Sequence, residues 1–168
     1  MRVLTFRGYA ALFVAAVLLT AGLFVGGVAR AQDGFVRHAV GTFDVEMTPG
    51  DPEAIEAGLG LSSYALSKTF EGGIDGVSVG SMLAGGPAGV ETAGTYVALE
   101  RVVGTLDGKE GAFLLAHRGD INAEGYSLSI AVVPGSGTGE LTGITGDFEL
   151  TIVDGVHHYD LAYRLPSP

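Results

Sequence analysis

The chain has 168 residues, no cysteine, 28 glycines, and 19 Asp and Glu against nine Lys and Arg, for a net charge of −10. The absence of cysteine excludes disulfides, thiolate metal sites and cysteine nucleophiles. The acidic balance repels nucleic acid and anionic lipid, so neither is an expected partner.

The first 31 residues read as an address. Arg2 and Arg7 give a positive start, Tyr9 to Val28 is uncharged and mostly apolar, and Ala29 and Ala31 set small residues at minus three and minus one before Gln32. That pattern predicts a signal peptide over 1–31, cut after Ala31. The alternative is an uncleaved membrane anchor through residues 9–29, since the 22 uncharged residues between Arg7 and Arg30 match the ~20 that a helix needs to cross a bilayer. With no cysteine after the apolar run, a lipid-modified N-terminal cysteine is excluded. Cleavage leaves residues 32–168 as one domain of 137 residues, enough for a single buried core. Six Lys and Arg then face 19 Asp and Glu, a charge of −13. Export without disulfides suits a bacterial periplasm or secretion, and no membrane contact is expected after cleavage.

Beyond the leader the pattern is that of strands. Phe43, Val45 and Met47 alternate with Thr42, Asp44 and Glu46, the period-two signature of a half-buried strand. The same reading gives strands near 36–48, 62–72, 74–84, 94–106, 109–120, 125–134, 146–153 and 156–165, with a short piece from Gly139 to Leu141. Asp107-Gly108 and Asp154-Gly155 carry the chemistry of two-residue type I′ hairpins, and Gly72-Gly73 is read the same way. Strands joined so are antiparallel, which favours a meander closing on itself. Pro52 to Ala57 reads as a short helix. The connections Pro49 to Leu61 and Gly85 to Gly94 exceed hairpin length and are candidate mouths.

Four stretches carry a resemblance: SKTFEGGIDGVSVGSML, GTYVALERVVGTLDGKEGAFLLAHRG, VVPGSGTGELTGITG and DGVHHYDLAYRL. In this order they resemble the bacterial family known as domain of unknown function 3224, over about Gly41 to Leu165. The resemblance implies an all-β fold, an eight-stranded antiparallel closed barrel similar to that of allene oxide cyclase. It implies no reaction and no cofactor. The catalytic constellation of the plant cyclase has no residue-by-residue match here, so none of its roles is carried over.

Two motif matches fail on their surroundings. Gly76-Val77-Ser78-Val79-Gly80 fits the nucleophile elbow, but that device needs a strand-to-helix turn in an α/β fold, and this one lies within an alternating strand. Gly135, Gly137 and Gly139 suggest a phosphate cradle, yet Glu140 stands where a Walker lysine would follow and no helix opens there. Glycines serving a bulge or barrel corner account for the run.

Polar residues that share a parity with apolar ones are the candidates for a site. Lys68 alternates in step with Tyr64, Leu66 and Phe70; His117 follows Phe113 and Leu115; His157 and Tyr159 run with Leu161 and Tyr163. In the strand over 94–106 either Tyr96, Ala98, Glu100 and Val102 or Val97, Leu99, Arg101 and Val103 faces inward, and periodicity does not choose. If the first set turns into the lumen, Lys68, Tyr96, Glu100, His117, His157 and Tyr159 converge as a ligand-binding cluster, with Glu100 and Tyr96 as candidate proton handlers. The structural reading of the same residues is a lysine that snorkels, a glutamate that accepts a core hydrogen bond and packed imidazoles. His157 and His158 project to opposite faces and cannot share one metal, so no metal site is expected.

Three functions fit: a binding protein holding a small apolar ligand in the barrel, an isomerase or cyclase of the allene oxide cyclase kind, and a structural or self-associating envelope protein. A homo-oligomer formed through apolar outer faces is also expected. The exported protein is predicted to begin at Gln32 by intact mass, and a secreted or periplasmic chain that retains Met1 would contradict the leader assignment.

Overall fold

Alternating apolar and polar side chains give nine strands in the computed structural model, which describes residues 35–51, 59–87 and 93–167. The strands are β1 (Arg37–Pro49), β2 (Leu61–Gly72), β3 (Ile74–Gly85), β4 (Gly94–Leu106), β5 (Lys109–Asn122), β6 (Gly125–Val132), β7 (Thr138–Gly139), β8 (Thr145–Val153) and β9 (Val156–Arg164). Every pairing is antiparallel, in the order β4-β3-β2-β1-β9-β8-β6-β5, and β4 pairs with β5 to close an eight-stranded barrel. No helix occurs among the described residues. The leader over 1–31 and the short helix read at Pro52 to Ala57 lie outside them, as do parts of the two long connections.

The turns follow their residues, with one correction. Asp107 and Gly108 adopt φ of 48° and 77°, and Asp154 and Gly155 adopt 51° and 82°, the double positive φ of a type I′ hairpin. Gly72-Gly73 is not such a turn. The register Phe70↔Gly76 leaves five residues in the bend. The Gly73 N–H instead donates to the Val40 carbonyl at 2.9 Å, and its own carbonyl accepts from the Asp107 N–H at 2.8 Å, so this bend is spread out to tie β1 to the β4–β5 turn.

The two ends of the barrel differ. At one end lie the 72–73 bend, the 107–108 turn and the Gly-rich run, which works as a plug. β6 meets β8 at a single pair, Ala131↔Asp147, and the first half of β5 has no β6 partner. The run after Val132 fills that seam. Leu114 and Val133 are joined backbone to backbone at 2.8 Å, Ser136 and Thr138 accept from the Leu114 and Ala112 amides at 3.0 and 3.1 Å, and the Glu140 N–H donates to the Glu110 carbonyl at 2.9 Å. Leu141 and Ile144, which follow, are buried in the main core with Ile74, Leu106 and Tyr163. The β5–β6 and β8–β9 turns lie at the opposite end, where the ends of β2, β3, β4 and β5 line a mouth.

Burial resolves the parity left open on β4: Ala98, Glu100, Val102 and Leu106 face the lumen, and Val97, Leu99, Arg101 and Val103 face out. Phe43, Phe70, Phe148 and Tyr159 pack ring against ring, with centroids 5.2 to 6.3 Å apart, on the β1-β2-β8-β9 side of the interior. Because Ile144 is wholly enclosed in the plug, Ile144→Ala is predicted to cost about 3 kcal/mol in urea unfolding through lost burial and an unfilled cavity. A loss under about 1 kcal/mol would show that the run merely covers the barrel.

Candidate functional site

Counting inward positions from the mouth places the candidates in layers. Each step along a strand face is two residues, about 6.6 Å. By strand pairing, Ser62, Ala84, Tyr96 and Gly119 form the upper layer; Tyr64, Met82, Ala98 and His117 lie one step down; Leu66, Gly80, Glu100 and Leu115 lie two steps down; and Lys68, Ser78, Val102 and Phe113 lie three steps down.

Glu100 is the centre of the lower layers. Lys68 Nζ donates to its Oε2 at 2.7 Å, Ser78 Oγ donates to its Oε1, and His117 Nε2 stands 3.0 Å from Oε2. Lys68 and Ser78 thus each donate to one oxygen of the carboxylate. The His117 ring is close, but its Nε2 is not aligned for a hydrogen bond. Lys68 Nζ also lies 4.7 Å from the Phe43 ring centroid and 5.9 Å from that of Phe70, so the ammonium is held between a carboxylate and two aromatic faces. Burial by itself would raise the Glu100 carboxyl. The His117 ring, the Lys68 charge and the Lys68 and Ser78 hydrogen bonds outweigh it and bring the pKa down to about 2. Glu100 is therefore an ionised acceptor at neutral pH.

The remaining candidates stand apart. Tyr96 lies at the mouth, its ring across Gly119 and its hydroxyl 3.0 Å from that of Tyr126. A Cβ on Gly119 would sit 2.1 Å from Tyr96 Cε1, so only glycine lets the ring lie there. Burial, then the Tyr126 hydroxyl, pushes the Tyr96 phenol up, so it remains protonated. Tyr159 is buried in the core and accepts from the Ile74 N–H at 2.7 Å. His157 is half-buried and stacks on Phe43 at 5.0 Å. The structure thus joins Lys68, Glu100 and His117, and leaves Tyr96, His157 and Tyr159 elsewhere. It adds Ser78, whose place in the Gly76–Gly80 motif suggests only a nucleophile; its parity with Ile74 is the signal that it points inward. Among the described residues no group of three or more His, Asp or Glu is placed to hold a metal ion.

Exposure falls with depth. Leu66, Lys68, Ala98 and His117 keep 6 to 9 % exposure, whereas Glu100, Leu106 and Leu115 have none. The ion cluster is the level at which an accessible upper lumen gives way to a packed lower one. Above it is a cleft of about 610 Å³, lined by Tyr64, Tyr96, Ser62 and Ile121 with five glycines and two alanines among the rest. Glu100 is not part of that lining.

Lys68→Met is predicted to destabilise the protein by about 3 to 5 kcal/mol, because it leaves a buried carboxylate without its cation. Lys68→Met with Glu100→Met should recover most of that loss. The pH dependence has a fixed sign. A carboxyl held at about 2, against 4.5 unperturbed, contributes stability that is complete above about pH 5 and declines as pH falls toward 2. Glu100→Gln should flatten that acid limb, as read by urea midpoints. An unchanged slope would mean that other carboxylates control it.

A family described as "Protein of unknown function (DUF3224)" matches residues 39–163. The crystal structure of a protein with unknown function from the DUF3224 family of Shewanella oneidensis MR-1 is similar at 39 % sequence identity, covering 79 % of this chain and 100 % of that one, with a TM-score of 0.70. No curated protein matches the chain. Four motif blocks in order, the closed barrel and these two matches agree, and the chain belongs to the DUF3224 family.

Proposed function

We propose that this protein is an exported barrel that binds a small, predominantly apolar molecule in the upper half of its lumen. One observation carries the reading: the interior is filled from the Glu100 cluster downward, whereas the mouth above it holds a cleft of about 610 Å³, within the size range of ligand pockets. Its lining supports such a ligand. The small residues leave room, the Tyr64 and Tyr96 rings offer flat apolar contact, and the tyrosine hydroxyls give a few polar anchors.

Binding is favoured over isomerase chemistry of the allene oxide cyclase kind by the state of the two proton-handling candidates. Glu100 is fully enclosed and ionised among its partners, with its pKa drawn away from the neutral range useful to a general acid or base. The Tyr96 phenol is shifted upward, which suits a hydrogen-bond donor and opposes a base. A purely structural envelope protein gives no account of the open half of the lumen.

Binding can be followed with 1-anilinonaphthalene-8-sulfonate as an apolar probe. Saturable one-to-one uptake is expected, weakened about tenfold or more by Ala84→Trp, which fills the cleft from its wall. Val40→Ala, on the outer surface, should leave uptake unchanged. Uptake that is not saturable, or that Ala84→Trp does not weaken, would overturn the proposal.

A further inference from the structure

The outside of the barrel is as uneven as the inside. Val77, Val79 and Leu83 of β3 and Val97, Leu99 and Val103 of β4 point outward and remain 38 to 63 % exposed. They form one patch: Val77 is paired with Val103 and Leu83 with Val97, while Leu99 lies opposite Ser81. The next strand extends it, since Ala112, Leu114 and Ala116 of β5 are paired with Val103, Arg101 and Leu99. Solvent-facing positions of an antiparallel sheet are ordinarily polar, so this face departs from the pattern.

The charges are segregated to match. Outward positions elsewhere carry Asp44 and Glu46 on β1, Asp147 and Glu149 on β8 and Asp160 on β9. From Val77 to Leu83 and from Val97 to Val103 no acid points outward, and Arg101 is the one charge. The acid-bearing strands also exclude a barrel embedded in lipid, which needs an apolar belt on every strand.

We infer that the outer face of β3, β4 and β5 is a self-association interface whose occupant is the same face of a second copy of this chain. Two copies with a net charge of −10 each repel through most approaches, and this is the side on which they meet without stacking carboxylates. Both signs needed for a self-complementary contact lie on it: Arg101 within the patch, and Asp75 and Glu110 at its edge toward the closed end of the barrel, each paired with Thr105. The scale also fits. Seven residues of β4 at ~3.3 Å and three strands ~4.8 Å apart give a footprint of roughly 20 by 10 Å, which can form the apolar centre of the about 800 Å² that each partner buries in a standard interface. The closed barrel has no free strand edge, so copies dock by faces, as sheets of a sandwich do.

Sedimentation velocity over a concentration series tests this. The wild-type protein is expected to sediment as a species of two or more copies. Val79→Asp with Leu99→Asp should weaken association about a hundredfold or more, with unchanged far-UV circular dichroism. Arg101→Glu, which leaves the aliphatic side chains in place, should weaken it as well, and Val40→Asp on β1 should not. A wild-type protein that is monomeric throughout, or an oligomer that survives both the double substitution and Arg101→Glu, would overturn the inference.

Discussion

The carboxylate of Glu100, buried without any exposed surface and held by Lys68, Ser78 and His117, is the constraint around which the barrel is organised. A charge in that position is costly unless it is paired and hydrogen-bonded, so the four side chains have to arrive together. They come from four consecutive strands, β2 through β5. A slip of one residue in any of them would turn its contributor outward and leave the acid unpaired. The cluster therefore specifies register on the side of the barrel where the pairings are longest.

Its placement also partitions the interior. Below it the aromatic group around Phe43 and Phe70, the aliphatic layers and the plug residues Leu141 and Ile144 fill the lumen to close packing. Above it the walls turn to small residues, with glycine at positions 60, 85, 86, 94 and 119, and the lumen opens. An eight-stranded barrel is only just wide enough to be filled or to hold one small ligand, and here the two outcomes occupy opposite ends. The ions lie beneath the cleft without lining it; Lys68 and His117 keep slight exposure and Glu100 none.

Much of this was legible in the residues. The period-two alternation gave all eight barrel strands, the two Asp-Gly turns took the expected form, and the shared parity of Lys68, Phe70, His117 and Phe113 marked polar groups on buried faces. Other features depend on the third dimension. The inward face of β4 could not be chosen because both of its parities mix apolar and charged residues, and Val97, Leu99 and Val103 are aliphatic yet exposed. Ser78 looked like a motif remnant because its partner is 22 residues away. Tyr96 did not join Glu100 because the bare backbone of Gly119 draws its ring toward Tyr126 at the rim. The Gly-rich run, expected to serve a bulge or barrel corner, fills the seam beside β5 instead. That Leu141 and Ile144 sit within it as core residues follows from the short β6–β8 seam, which local sequence does not encode.

The most direct test of the central claim is the ionisation of Glu100 itself, followed through its side-chain carboxyl ¹³C chemical shift in a pH titration. A structural, ion-paired Glu100 predicts a carboxylate at neutral pH whose midpoint lies near 2. A midpoint at or above the ordinary 4.5 would contradict it, and would return Glu100 to the role of a proton-exchanging group.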